Sequence, residues 1–281
     1  MGNIVTFSTA CISLLFVAST TAPAAADDLT ERGAYLVNTV MACGNCHTPM
    51  GPQGPDMSRA LSGGLEFDTP GFHVTASNLT PHDTGLGSWS DEEIKRALVE
   101  GRRPDGSALA PIMPTSFYKV LTPRDLDAIV AYLRTLPPVD RKVPAPEYAG
   151  DPPPAFPGAE APIAEEDQGA DPVRKGFYLV TIAHCMECHT DWEADGPPTI
   201  GAGGRPLPGP WGVSISANIT NDPHAGLGEW TDEEIVRAVT AGVSRDGRAL
   251  LPPMGYPFYA GISPDDLAAM VAYLRTVPST H

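Results

Sequence analysis

The sequence predicts an all-α protein made of two tandem domains joined by a proline-rich linker. Blocks of sequence in the first half recur in the same order in the second half. Two pairs of helices begin with matching capping signals, and no stretch shows a convincing alternation of apolar and polar residues typical of a strand. A chain of 281 residues is long enough for two small domains, each with its own core.

The first 26 residues are predicted to be a signal peptide. They contain no charged side chain, and a largely apolar stretch leads to three alanines before Asp27, a pattern typical of secretory cleavage. An uncleaved anchor is the alternative, because no Lys or Arg precedes the apolar stretch, although that stretch is short for a membrane span. We therefore expect an exported, periplasmic protein with a signal peptide at 1–26, a first domain at 27–137, a linker at 138–170 and a second domain at 171–281.

Each domain is predicted to begin with a short amphipathic helix, at residues 30–37 and 174–180. Each helix leads into a Cys-x-x-Cys-His motif, at 43–47 and 185–189. Loops rich in glycine and proline follow, for which the sequence predicts no regular secondary structure.

The second pair of helices begins with the capping boxes at 90–93 and 231–234, in which Ser or Thr is followed three residues later by Glu. Each of these helices is expected to end at a glycine, Gly101 or Gly242.

The last helix of each domain begins with a capping residue followed by proline at the first helical position, at 122–123 and 263–264. Both helices contain Ala-Tyr-Leu-Arg-Thr and stop at a proline. The linker between the domains is rich in Pro, Ala and acidic residues, so it is expected to be extended, without a core of its own.

The repeated Cys-x-x-Cys-His motif is the attachment signature of c-type haem. A thioredoxin-like pair or half of a zinc site also contains Cys-x-x-Cys, but neither requires a histidine directly afterwards. The remaining cysteine, Cys11, lies in the predicted signal peptide. We therefore predict two covalently attached haem c groups. The predicted thioether positions and proximal iron ligands are Cys43, Cys46 and His47 in the first domain and Cys185, Cys188 and His189 in the second.

Met113 and Met254 are the predicted sixth ligands of the two irons. They follow the proximal histidines by 66 and 65 residues, and each lies in a proline-rich loop that would hold its thioether with little freedom left to lose. Methionine is also an ordinary core residue, which is the alternative role. The less well matched rival ligands are His73, His82, His184, His224, Met41, Met50 and Met57.

A His/Met pair leaves no open coordination position at the iron and raises the reduction potential. Such sites exchange electrons without bond chemistry on a substrate, so we predict no catalytic residue. Nearby, the matched Asn-x-Thr segments at 78–80 and 218–220 have two possible roles: hydrogen bonding to haem propionates or formation of turns.

The net charge of −16 argues against binding to nucleic acid or anionic lipid. It favours protein partners with a basic docking face, although an acidic surface also serves solubility alone.

With these motifs and this helix order, both halves resemble class I cytochrome c domains. The tandem arrangement is similar to the dihaem and trihaem cytochrome subunits of bacterial periplasmic dehydrogenases, including alcohol and gluconate dehydrogenases and molybdenum hydroxylases. The resemblance implies an electron-transfer protein, not an enzyme. It would accept electrons from a periplasmic dehydrogenase and pass them to a cytochrome, a quinone or a terminal oxidase. Membrane-attached members often carry a third haem or an amphipathic anchor; this sequence shows neither, so membrane contact is expected only through partners.

A dihaem redox enzyme, of the cytochrome c peroxidase or thiosulfate-oxidising type, is the alternative function. A peroxidase needs an iron with a vacant or displaceable ligand and an acid–base group above it. The two matched methionines argue against such an iron, and no spare cysteine remains for sulfur chemistry.

Overall fold

The computed structural model describes residues 1–2, 22–52, 54–195, 197–209 and 211–279. The predicted signal peptide and Cys11 fall largely or wholly on residues 3–21, outside this described part, so the signal peptide stays a prediction. Among the helices that are described, none combines the length and apolar character needed to cross a membrane.

Short and medium helices form most of both domains. The helices of the first domain are α1 (Ala22–Tyr35), which continues through a π-helical turn at Leu36–Val40, α2 (Gly44–His47), α3 (Asp91–Glu100), α4 (Thr115–Tyr118) and α5 (Pro123–Thr135). Those that follow are α6 (Asp167–Ala170), α7 (Pro172–Ile182), α8 (Cys185–Cys188), α9 (Asp232–Ala241), α10 (Tyr256–Tyr259) and α11 (Pro264–Leu274).

The predicted starts of α3, α5, α9 and α11 are present in the structure, whereas α1 begins at Ala22, earlier than the predicted residue 30. Ser90 and Thr231 accept from the backbone of the glutamate three residues later, and that glutamate accepts from their own N–H, so both capping boxes are complete. Both helices end at a glycine in the left-handed conformation, with φ of 66° at Gly101 and 65° at Gly242. The helical fold class is confirmed.

The expectation that no strands are present is wrong for the loops that follow each Cys-x-x-Cys-His motif. They form three antiparallel hairpins: β1 (Met50–Gly51) with β2 (Gly54–Pro55), β3 (Glu66–Thr69) with β4 (Phe72–Thr75), and β5 (Pro206–Gly209) with β6 (Gly212–Ile215). Strands of two to four residues are too short to show an alternating pattern. Pro206 and Pro208 of β5 occupy positions that make no hydrogen bond to β6. The absence of their N–H groups therefore removes none of the hydrogen bonds between the two strands.

In each domain the first and last long helices cross with their backbones in contact. A Cβ at Gly33 in α1 would lie 1.9 Å from the carbonyl oxygen of Ala128 in α5. A Cβ at Gly176 in α7 would lie 1.9 Å from the carbonyl oxygen of Ala269 in α11. Only glycine allows this approach, and it brings the motif at the end of each first helix to a fixed position relative to the last helix.

The domains are joined by two matching carboxylate clusters. In the first, the Arg32 guanidinium donates to both oxygens of Asp125 at 2.8 Å. The hydroxyl of Tyr178, from the second domain, donates to the same carboxylate at 2.6 Å. The Asp125 side chain is 3% exposed, so its charge is held by these partners instead of water.

The second cluster repeats this arrangement with the domains exchanged. Lys175 lies 2.5 Å from Asp266 within the second domain, and the hydroxyl of Tyr35, from the first domain, donates to Asp266 at 2.5 Å. Tyr35 also accepts from the backbone N–H of Ser263. The hydroxyls of Tyr35 and Tyr178 thus make their polar contacts across the domain interface.

The linker crosses the first domain and completes its core. Its Phe156 is 5% exposed and stacks on Phe117 with ring centroids 4.8 Å apart. Earlier in the linker, Glu147 pairs through its backbone with His73 in β4. The linker forms no helix before α6, and it contributes the side chain of Phe156 to the core of the first domain.

Replacement of Gly176 by Ala is expected to destabilise the protein by about 1–3 kcal/mol or more, because the added methyl group overlaps the Ala269 carbonyl unless the helices separate. Gly71→Ala is the control, since nothing lies within 4 Å of a Cβ placed there. Urea unfolding followed by circular dichroism measures both variants. Equal unfolding midpoints for the two would contradict the close crossing.

Replacement of Tyr35 by Phe is expected to lower the free energy of unfolding by about 1–2 kcal/mol, because the buried Asp266 carboxylate loses a donor across the interface. Burial favours the protonated form of Asp266, but the hydrogen bonds from Lys175 and Tyr35 outweigh it and lower the pKa of this carboxyl. The stabilisation is therefore complete above the ordinary pKa of Asp, about 4, and is lost as the pH falls below it.

Tyr35→Phe should consequently lose less stability than the parent protein between pH 7 and pH values below about 4. The control is Tyr132→Phe, whose hydroxyl accepts from Asn38 within the first domain. Urea midpoints at the two pH values give the comparison. An identical acid loss in the parent protein and in Tyr35→Phe would show that this hydrogen bond does not hold the carboxylate.

Candidate haem sites

Each Cys-x-x-Cys-His motif follows a residue in the left-handed conformation that L-residues rarely adopt: Ala42 with φ 47° and His184 with φ 44°. This turn ends the preceding helix and starts the short helix α2 or α8. On a helix, side chains three and four positions apart lie on the same face. The two cysteines and the histidine of each motif therefore project together, the arrangement needed to bind one porphyrin at two edges and its iron at the centre.

Both predicted proximal histidines are oriented by a backbone carbonyl. The Nδ1 of His47 lies 2.7 Å from the carbonyl oxygen of Ser77, and the Nδ1 of His189 lies 2.7 Å from that of Ala217. Because a carbonyl only accepts, Nδ1 carries the proton and Nε2 keeps a free lone pair. Such a hydrogen bond fixes the tautomer and the ring direction of a metal-ligating histidine. The residues present fit a haem iron.

The Asn-x-Thr segments form the turns that present these carbonyls. Asn78 Oδ1 accepts from the N–H and hydroxyl of Thr80 at 2.9 and 2.8 Å, and Asn218 Oδ1 accepts from Thr220 at 2.8 and 2.6 Å. Of the two roles left open by the sequence, these oxygens have the turn-forming one.

Sequence analysis missed Ser77 and Ala217, the residues whose carbonyls hold the two histidines. They act through the backbone, so their side chains differ and carry no signal. The signal that could have found them is the repeated Asn-x-Thr that directly follows each of them.

The four motif cysteines, all within the described residues, form no disulfide with one another. Burial raises the pKa of each thiol to about 12. A thioredoxin-like pair needs the opposite, a thiol pKa lowered towards neutrality. The environment thus disfavours the dithiol alternative and leaves both sulfurs of each motif available for covalent attachment.

Met113 and Met254 are half-buried and pack against the hydrophobic core, as do Cys43 and Cys185 of the two motifs. The rival ligands differ from them in exposure or in their polar partners. Met41 is buried in the core at 1% exposure, Met50 and Met57 are 50% and 62% exposed, His73 and His184 lie beside Glu66 and Glu187 respectively, His82 contacts Thr84, and His224 is exposed.

The two candidate sites adjoin each other across the domain interface. The side-chain amide of Asn45, inside the first motif, donates to the carbonyl of Pro253 at 3.0 Å, directly before Met254 in the second domain. The ring of Phe258 packs on Gly44, where a Cβ would lie 2.8 Å from it. The first haem motif thus contacts the loop that carries the predicted distal ligand of the second.

One carboxylate acts on thiols of both motifs. Glu187 adds to the effect of burial in raising the pKa of Cys46 in the first domain and of Cys188 in its own. The Cys46 thiol further raises the pKa of Cys188.

The cytochrome c family model matches the chain twice, over residues 30–137 and 173–278. Among curated proteins, the chain is 32% identical over 272 residues to the fructose dehydrogenase cytochrome subunit of Gluconobacter japonicus. It is 36% identical over 280 residues to the cytochrome c subunit of alcohol dehydrogenase (quinone) from Gluconobacter oxydans. A diheme cytochrome c-type of Cereibacter sphaeroides is 28% identical over 265 residues.

These matches cover 89% of this chain for the two dehydrogenase subunits and 84% for the diheme cytochrome. The chain spans about half the length of the two dehydrogenase subunits, 52% and 55%, and 82% of the diheme cytochrome. The double family match agrees with the two structural repeats and their two Cys-x-x-Cys-His motifs. The chain belongs to the cytochrome c family, as an electron-transfer protein with two covalently attached haem c groups.

Proposed function

We propose that this protein is a periplasmic dihaem cytochrome that takes electrons from a dehydrogenase and passes them to a downstream respiratory acceptor, which is a cytochrome, a quinone or a terminal oxidase. The observation that carries this proposal is the direct contact between one haem motif and the methionine loop of the other domain. Two redox sites that touch across an interface are suited to passing electrons between them, one site accepting and the other delivering.

Within each domain the chain's own residues hold the cofactor. Cys43 and Cys46, and likewise Cys185 and Cys188, form the thioether bonds. Each haem c supplies a one-electron Fe(III)/Fe(II) couple. His47 and His189 present Nε2 to the iron, with the ring direction set by the carbonyl bound at Nδ1.

Met113 and Met254 would supply the sixth ligand of the two irons. Met113 follows Pro111 and Ile112, and Met254 follows Pro252 and Pro253. The prolines restrict the backbone, so each thioether is held in a stiff loop. Thioether coordination leaves no position for a substrate and favours a high reduction potential. The sites are therefore suited to outer-sphere electron transfer and not to peroxide or thiosulfate chemistry.

The interface clusters centred on Asp125 and Asp266 keep the distance between the sites constant. Each cluster combines an ion pair within one domain with a tyrosine hydrogen bond from the other. Electron tunnelling depends steeply on distance, so a fixed interface supports steady exchange between the two sites.

The dehydrogenase partner is supported by the relatives, which are named as cytochrome subunits of fructose and alcohol dehydrogenases. The net charge of −16 supports partners with a basic docking face and disfavours nucleic acid. The periplasmic location is supported by the predicted signal peptide and by the attachment of c-type haem outside the cytoplasm.

Replacement of Met113 or Met254 by Ala is expected to open one of the two irons, because alanine offers no ligand. Each single variant should lose about half of the ferric Met–iron charge-transfer absorption and bind carbon monoxide at one haem, whereas the parent protein binds none. Ferric and ferrous optical spectra, with and without carbon monoxide, make the measurement. The matched control is Met57→Ala, which removes an exposed thioether in the first domain.

A parent protein with one high-spin haem, or one that binds carbon monoxide readily, would overturn the ligand assignment at that iron. The search for a function would then turn to catalysis at the open site.

The function is tested by mixing the oxidised holoprotein with the dehydrogenase that co-purifies with it and adding that enzyme's substrate. Both haems should be reduced, and a mutant with the Cys43 and Cys46 attachment removed should transfer fewer electrons per chain. The isolated holoprotein should show no peroxide- or thiosulfate-linked turnover. Failure of any dehydrogenase to co-purify or to reduce the holoprotein, or peroxide turnover by the isolated chain, would refute the proposal.

A further inference from the structure

The two domains differ at the hairpin that precedes each Asn-x-Thr turn. In the first domain, His73 on β4 lies opposite Asp68, at a position whose N–H and C=O point away from β3. Both groups bond to the linker: the His73 N–H donates to the Glu147 carbonyl at 3.1 Å, and the Glu147 N–H donates to the His73 carbonyl at 2.8 Å. The outer edge of this hairpin is therefore covered by an extended segment of the same chain.

Val213 on β6 occupies the position of His73. Each lies five residues before the asparagine of its Asn-x-Thr turn, and Val213 lies opposite Pro208 in the same register as His73 opposite Asp68. The N–H and C=O of Val213 thus also point away from the partner strand. Within the described ranges no residue bonds to them. The second domain has the same edge without the cover.

The outward-facing side chains of the two hairpins also differ between the domains. In the second domain, Val213 and Ile215 are 62% and 63% exposed. With their cross-strand neighbours they form an uncharged apolar face, made of Pro206, Pro208, Val213 and Ile215. The equivalent face of the first domain is polar and acidic, made of Glu66, Asp68, His73 and Thr75.

The inner side of β6 is tied to the second haem site. Ser214, which points away from the apolar face, is 9% exposed and its hydroxyl donates to the carbonyl of Pro252 in the Met254 loop. Two residues beyond β6, Ala217 provides the carbonyl that holds His189. A segment lying along β6 would therefore run beside the backbone that orients His189 and contacts the Met254 loop.

We propose that the free edge of β6 and its apolar face form the docking site for an extended, uncharged segment of the dehydrogenase partner, which adds to the hairpin as a third strand. The proposal rests on the electron-transfer function proposed above and identifies the second domain as the one that the partner engages. In the first domain this edge already pairs with the linker at Glu147, so it is closed to the same contact.

Two properties of the edge define its occupant. Strand addition uses backbone hydrogen bonds for affinity and side-chain contacts for specificity. In the first domain, the equivalent hairpin already pairs with a segment of the linker in this way, at Glu147. The apolar face carries no charge in a chain of net charge −16, so its complement is an uncharged segment and not the basic surface suited to the rest of the molecule. Uncovered apolar edges are otherwise avoided because they promote aggregation.

The test uses the full-length holoprotein expressed in its own bacterial host. Ile215→Lys places a charge in the proposed interface and should lower the amount of co-purifying dehydrogenase roughly tenfold. Thr75→Lys places the same charge at the equivalent position of the first domain and should leave it unchanged. The optical spectra of both variants should match that of the parent, since both positions lie on the hairpin face opposite the inward-facing Val74 and Ser214.

A second variant carries the photo-crosslinking residue p-benzoylphenylalanine in place of Val213, with the same residue in place of His73 as the control. Irradiation should link the Val213 variant to an extended segment of the dehydrogenase, identified by mass spectrometry, and should link the His73 variant to the protein's own linker. A crosslink from position 213 to a second copy of this chain, or to another segment of the same chain, would overturn the proposal.

The proposal would also be overturned if the dehydrogenase co-purifies and reduces the holoprotein while Ile215→Lys behaves as Thr75→Lys. In that case the proposed function stands and the docking site lies elsewhere. If no dehydrogenase co-purifies with the parent protein or reduces it, the proposed function fails and the docking proposal fails with it.

Discussion

A hydrogen bond from each proximal imidazole to a backbone carbonyl is the constraint on which both haem sites depend. The carbonyls of Ser77 and Ala217 are positioned by the Asn-x-Thr turns, and these turns follow the hairpins that the sequence did not reveal. Each hairpin in turn places its inner side chain against the domain. The loops for which the sequence predicted no regular structure therefore orient the imidazole that is predicted to bind the iron, while the helices on either side supply the predicted attachment points and the core.

The helices were largely predictable because their signals are local. Capping boxes, a proline at the first helical position and glycines in the left-handed conformation all act within a few residues, and each is present twice in the sequence and in the structure. The haem motifs were predictable for the same reason, since five adjacent residues contain the two thiols and the imidazole. The internal repeat gave each of these inferences a second, independent example.

The features that could not be predicted depend on residues far apart in sequence. The carboxylate of Asp266 accepts a hydrogen bond from Tyr35 of the other domain, and neither local sequence indicates this contact. Every residue has a backbone carbonyl, so the sequence does not indicate that the carbonyl of Ala217 is the one that accepts from His189. The methionine loops illustrate the intermediate case: their matched spacing indicates a ligand role, while the distance to the iron depends on tertiary structure.

The linker crossing changes what counts as the unit of folding in the first half of the chain. Phe156 stacks on Phe117, and the backbone of Ile163 bonds to the carbonyl of Val120, so the core of this half is closed by residues well beyond its last helix. A fragment that stops at the end of α5 would leave Phe117 facing water and would be prone to aggregation. During synthesis the first half cannot reach its final packing until the linker has also been made.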